Sequence, residues 1–328
     1  QFHELTVPGK LSLSSESGVV ELCLDSADRV LVRGQSVSLE LDALLTSAYD
    51  LIVPLGHGRW QYICYASDIN LMITVRQGTL RVTDRWTGVK SEQLRLRLDP
   101  DPITNRSLLS LEEFTTSYQV ERDVENFDQA VEVARLDFLE SLSSAPQVQS
   151  PLAETRELAV YVNWASIVAP RGHIQRPVMF MSKNGMTNVW AWDHCFNAMA
   201  STGDLKQAMD QFLCIFDYQD EHGGIPDCFN DSFISRNFTK PAVHGWALQW
   251  MMDRTEFDES FLSAAYAALS KWTEWWFEFR DVSGGGFPAY YHGNDSGWDN
   301  GTAFARFVPV ESPDQIAFLI IQLEVLLS

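Results

Sequence analysis

Carboxylates set beside indoles are the first residues in this sequence that suggest chemistry. Trp192-Asp193 and Trp298-Asp299 are two such pairs. Between them lie Ile225-Pro226-Asp227, Asn230 and His244-Gly245-Trp246. Eight of the 11 tryptophans fall between Trp190 and Trp298. An aromatic face beside carboxylates and amides suits a sugar, whose C–H faces stack on rings and whose hydroxyls both donate and accept hydrogen bonds. Each residue also has a plainer reading. Asp299-Asn300-Gly301 is ordinary turn chemistry, and Asp227 follows a proline as turn aspartates do. Asp193 suits a helix N-terminus, where the dipole favours a negative charge. Trp272, Trp275 and Trp276 sit at helical spacing and read as core.

Other chemistries fit less well. His194, His222 and His244 with Cys195 and Cys228 show no Cys-x-x-Cys or His-Glu-x-x-His spacing, so neither a metal site nor any other cofactor is expected. Gly284-Gly285-Gly286 is followed by no Lys-Ser/Thr and reads as a flexible turn, not a phosphate loop.

The elements that must position these residues change character along the chain. From the start to about residue 99 the pattern has period two. Val37, Leu39 and Leu41 alternate with polar residues, as do Leu71, Ile73 and Val75, then Leu80 and Val82, then Leu94, Leu96 and Leu98. This predicts an antiparallel sandwich with one buried and one wet face per strand, closed by Asp99-Pro100-Asp101-Pro102. A helical stripe follows over 121–142, through Phe127, Val131, Ala134, Phe138 and Leu142. A Ser/Pro/Gln-rich stretch over 143–151 reads as linker. Beyond it helices are expected near 155–167, 191–201, 204–218, 241–254, 257–280 and 311–328, the fourth with Pro241 in its first turn. The intervening loops, 168–190, 221–240 and 281–310, are long and rich in aromatics, Gly, Asn and Asp, which marks them as functional. The predicted boundaries are a β-sandwich over 1–117, a helical linker over 118–154 and a helical domain over 155–328. A helix over 121–142 is long enough to bridge sandwich and helical domain, so the sandwich is expected to shape the rim of the pocket.

Four segments in order carry a family resemblance: 181–194 ending in Trp190-Ala191-Trp192-Asp193-His194, 223–231 around Ile225-Pro226-Asp227, 240–246, and 292–302 containing Ser296-Gly297-Trp298-Asp299-Asn300. With Glu311-Ser312-Pro313-Asp314 downstream, they resemble family 63 glycoside hydrolases. That family includes processing α-glucosidases and glucosylglycerate and mannosylglycerate hydrolases, and is related to trehalases. The resemblance covers roughly residues 155–328; the sandwich matches only in type. It implies an (α/α)6 toroid with a sugar pocket at one end, and an inverting mechanism with two carboxyl groups about 6.5–9.5 Å apart. It makes Asp299 the general acid, with Trp298 desolvating it, and gives Trp192 and Asp193 the terminal sugar hydroxyls. Asp227, Asn230, His244 and Trp246 are further pocket candidates. The family's general base lies in the later half of the toroid, and no match to that segment is present. The toroid is therefore expected to be incomplete here, with the base in a C-terminal segment or a second polypeptide. The apolar helix over 316–327 points the same way, because it needs a neighbour.

The alternative is a carbohydrate-binding protein without catalysis; a metal-dependent cyclase on a helical toroid is a third reading. Composition limits the choice. With 45% hydrophobic residues the chain is globular, and a net charge of −20 disfavours nucleic acid and anionic membranes as partners. The longest late apolar run is broken by Gln322 and Glu324, short of a membrane span. Five widely spaced cysteines, and no basic-then-apolar leader after Gln1, point to reduced thiols and a cytoplasmic location.

Overall fold

The computed structural model describes residues 3–119, 126–182 and 184–328. An antiparallel sheet-rich part is followed by a helical part, and the chain divides into two compact units, Gln1–Leu139 and Glu140–Ser328.

Among the described residues the first unit holds eleven strands: β1 His3–Val7, β2 Lys10–Ser15, β3 Gly18–Ser26, β4 Arg29–Gln35, β5 Leu39–Asp42, β6 Leu51–Gly56, β7 Arg59–Cys64, β8 Ile69–Gln77, β9 Thr79–Trp86, β10 Ser91–Asp99 and β11 Arg106–Phe114. Eight form one sheet in the order β1-β2-β3-β4-β11-β8-β7-β6, and three form a second in the order β5-β10-β9. The alternating leucines explain the layering. Leu80, Leu94, Leu96 and Leu98 of the small sheet pack against Val20, Val32, Ile52, Ile73 and Leu109 of the large one.

The Asp99–Pro102 segment does not close the sheets. It leads into β11, which lies between β4 and β8 in the middle of the large sheet. Its alternation is blurred because both its faces are covered. Leu109 enters the core between the sheets, while Leu108, beside a register shift, meets Cys23, Leu31, Phe127 and Ala130 on the far face. The last two belong to α1, Phe127–Ser144. The first residues of the helix expected over 121–142 lie outside the described residues. The boundary between the units falls inside α1.

The second unit contains α2 Ala153–Ser166, α3 Asp193–Ala200, α4 Leu205–Leu213, α5 His244–Met252, α6 Glu259–Phe279 and α7 Pro313–Leu327. Local chemistry sets several ends. Asp204 and Asp258 accept the amides of Gln207 and Phe261 as N-caps, and Pro313 occupies the first turn of α7. Helix α6 buries Trp272 and Trp276 completely. Each is worth about 4–6 kcal/mol of gross transfer free energy, before the entropy of ordering is subtracted.

Helix α5 starts at His244, after Pro241 rather than around it. The amides of Ala242 and Gly245 donate to the side-chain oxygens of Gln315 and Gln322, both buried on α7. The backbones approach closely there: a Cβ at Gly245 would lie 2.4 Å from the Gln322 Cα. On its outer side α7 leaves Ile320 and Leu323 largely exposed. The long loops are ordered by short ribbons: Ile167–Val168 with Val178–Met179, Val189–Trp190 with Cys228–Phe229 and Ile234–Ser235, and Ala289–Tyr290 with Val310–Glu311.

Candidate active site

Three segments of the helical unit converge. The first is the start of α3, where Trp192 precedes the helix and Asp193 occupies its first turn. The second is the ribbon strand Cys228–Phe229, held to the first by Ala191 N donating to the Asp227 carbonyl at 2.9 Å. The third is the turn 292–302.

That turn is anchored by two buried charges. Asp295, 1% exposed, accepts from the backbone amides of Thr239 (2.9 Å), Tyr291 (2.8 Å) and His292 (3.2 Å), and from Arg280 Nη1 at 3.0 Å. The Arg280 guanidinium lies 3.9 Å over the Tyr291 ring. Lys240, also buried, places Nζ 2.6 Å from Asp227 Oδ1 and donates to the Asn294 carbonyl at 2.8 Å. One ammonium therefore ties the Asp227 segment to the turn that carries Asp299. Gly297 completes the junction. Its φ is +70°, and a Cβ there would lie 2.5 Å from the Trp192 indole. Only glycine accommodates both the left-handed backbone and that contact.

Burial pushes the Asp193 carboxyl above its usual range, opposed by the positive charge of Lys240. Burial likewise raises Asp227; Lys240 pulls it back, and the charges of Asp295 and Asp299 add to the rise. These carboxylates thus sense one another across a single site. Asp299 itself is exposed, and Trp298 is 69% exposed, so the indole does not desolvate it in this arrangement. Trp298 lines a cleft of about 450 Å3 together with Ser296, Phe304, Pro313 and Asp314. The Asp314 carboxylate is held by the hydroxyls of Tyr290 and Ser312.

The structure therefore brings together Trp192, Asp193, Asp227, Trp298 and Asp299. Asn230 is adjacent but occupied: its side-chain oxygen accepts the amides of Ser232 and Phe233, and its Nδ2 donates to Asn188. His244 and Trp246 are not brought to the cleft. His244 is fully buried among His194, Phe216 and Trp272, and Trp246 packs near Phe196. Sequence reasoning missed Lys240, Arg280 and Asp295 as parts of the site. The only available signal was Lys240, a lone cation between Phe238 and a run of apolar residues.

Residues 186–314 match the family described as "Mannosylglycerate hydrolase MGH1-like glycoside hydrolase domain". A glucosylglycerate hydrolase of Mycolicibacterium hassiacum is 30% identical over 93 residues, which are 25% of this chain and 21% of that protein. Among solved structures, a GH63 mannosylglycerate hydrolase from Thermus thermophilus, in complex with Tris and D-glycerate, is 20% identical with a TM-score of 0.38, covering 50% of this chain and 48% of that one. A putative kojibiose phosphorylase from human microbiome is 9% identical with a TM-score of 0.42, covering 87% and 45%. The chain thus spans less than half the length of each of these relatives. The match over residues 186–314 agrees with the family 63 glycoside hydrolase resemblance that the motifs of this segment carry.

Proposed function

We propose that the chain supplies the sugar-binding face and the general acid of an inverting glycoside hydrolase. Its substrate is an α-glucoside or a small related glycoside of the glucosylglycerate or mannosylglycerate kind. The observation that carries this reading is the locked junction. Lys240 and Asp295 hold the Asp299 turn against Trp192, the half-buried Asp193 and the buried Asp227.

In this reading the terminal sugar stacks on indole, and Asp193 and Asp227 accept from its hydroxyls. Asp299 gives its proton to the glycosidic oxygen as the bond from the anomeric carbon to that oxygen breaks. A second carboxylate takes a proton from the water that attacks the anomeric carbon on the opposite face. Asp299 is wet without a sugar. A bound sugar covers it and removes that water. The second carboxylate is sought in the part of an (α/α)6 toroid that these 328 residues do not cover.

The test is Asp299→Asn in the whole natural protein, assayed for sugar release from glucosylglycerate, mannosylglycerate and simple α-glucosides. A fall in kcat of about 10²–10⁴-fold is expected. Unchanged turnover overturns the assignment of Asp299. Sugar binding with no release by the wild-type protein would instead make this a carbohydrate-binding protein.

A further inference from the structure

Beneath the Trp192–Asp193 turn lies a cluster that the proposed reaction does not use. His194 and Cys195 sit in the first turn of α3, and His244 opens α5. All three are 0% exposed. One ligating atom from each, an imidazole nitrogen or the thiol sulfur, can be chosen so that all lie within 4.8 Å of one another. We infer that His194, Cys195 and His244 form a three-ligand site for one soft cation of the copper(I) or zinc(II) class, a staple joining the first turns of α3 and α5.

Three observations support this. First, His194 is oriented as a ligand. Its Nδ1 lies 3.0 Å from the Trp190 carbonyl, which fixes the proton on that nitrogen and leaves the Nε2 lone pair facing inward. Second, Nε2 lies 3.6 Å from Cys195 Sγ. A metal bonded at about 2.1 Å to nitrogen and 2.3 Å to sulfur holds the two about 3.6–3.8 Å apart. Third, His244 lacks an ordinary partner. Neither of its ring nitrogens has a hydrogen-bond partner of ordinary geometry, and the polar group set against the ring is the Ala191 backbone. Leaving a buried imidazole nitrogen without a good partner is unfavourable, and coordination would satisfy it.

The ligand set selects the ion. Two imidazoles and a thiolate suit copper(I) and zinc(II), not magnesium or calcium. Binding releases the Cys195 thiol proton to solvent as the sulfur–metal bond forms. Copper(I) with one thiolate is neutral, which suits the surrounding core of Val243, Ala247, Phe212 and Met251. Zinc(II) leaves one positive charge, which the neighbouring Asp193 carboxylate offsets. The motif spacing gave no sign of the site, because His194-Cys195 and His244 are nearly 50 residues apart and meet only where α3 packs on α5.

The experiment is native mass spectrometry of the whole natural protein produced in medium supplemented with zinc or with copper, beside its Cys195→Ser and His244→Phe variants. About one equivalent of one of these metals is expected in the wild type, and the two media tell which. Both variants should be folded and lack it, since serine is nearly isosteric and phenylalanine suits the aromatic surroundings. A wild type carrying no more metal than the variants overturns the proposal. Should a variant fail to fold, the wild type is loaded with cobalt(II): a thiolate-to-cobalt charge-transfer band is expected, and its absence overturns the proposal. These readouts do not depend on glycoside turnover, so the site and the proposed hydrolase activity fail separately.

Discussion

Lys240 is the residue on which the candidate site turns. It is a buried cation shared between Asp227 and the Asn294 carbonyl. Lys240→Met leaves Asp227 buried without its counter-charge, at a cost of about 3–5 kcal/mol. Since Lys240 pulls the Asp227 carboxyl down, its loss should move the Asp227 titration midpoint further up, read by NMR of the side-chain carboxyl; an unmoved midpoint would refute the pairing. The sign of the pH effect follows. In the folded protein Asp227 holds its proton more tightly than in the unfolded chain. Its contribution to stability is therefore greatest below the ordinary carboxylate range, near 3.8, and falls as pH rises from there to the raised value. In denaturant titrations over that window, the stability of the wild type relative to Asp227→Asn should fall with pH. A flat or rising difference would contradict this. At Gly297, alanine must adopt φ +70° and meet the Trp192 ring, so Gly297→Ala should cost about 1–3 kcal/mol and weaken sugar binding. The pairing of Trp192-Asp193 with Trp298-Asp299 was legible in the sequence because aromatic and acidic residues adjoin in each. Asp295 was not, since its donors come from residues as far off as Thr239, 56 positions away, and no local pattern records such a pairing.

Among elements, α5, α6 and α7 are joined by polar side chains inside an apolar core. Gln322 accepts from Gly245 N at 3.0 Å and donates to Thr273 Oγ1 at 2.8 Å. Gln322→Leu fits the volume but strands the Gly245 amide, at about 1–3 kcal/mol. For a unit of this size that lowers Tm by roughly 2–4 °C per kcal/mol, measurable by calorimetry; an unchanged Tm would show the bond to be dispensable. Helix α6 was legible because its Ala and Trp residues keep helical spacing, and Asp258 marks its start. The late start of α5 was not, because two glutamines of α7 cap it in place of a local residue. Strand β11 escaped notice for a related reason. Covered on both faces, it shows Leu108 and Leu109 in succession where a half-buried strand alternates.

At the scale of the molecule, the change from period-two to helical patterning marked the passage from sheets to helices. The division inside α1 was not marked, because an amphipathic stripe does not tell which partner covers it. Among the described residues no helix is long and apolar enough to cross a membrane. A charge of −20 predicts no retention on a nucleic-acid column at physiological salt. The family match over residues 186–314 and the junction within that segment are the grounds for the proposal that Asp299 is the acid of an inverting hydrolysis. The most direct test follows hydrolysis of glucosylglycerate and mannosylglycerate by NMR with the whole natural protein and its Asp299→Asn variant. The first sugar released should have the anomeric configuration opposite to the substrate's, and the variant should lose this turnover if Asp299 is the acid. Release with retained configuration, or full turnover by the variant, would contradict it.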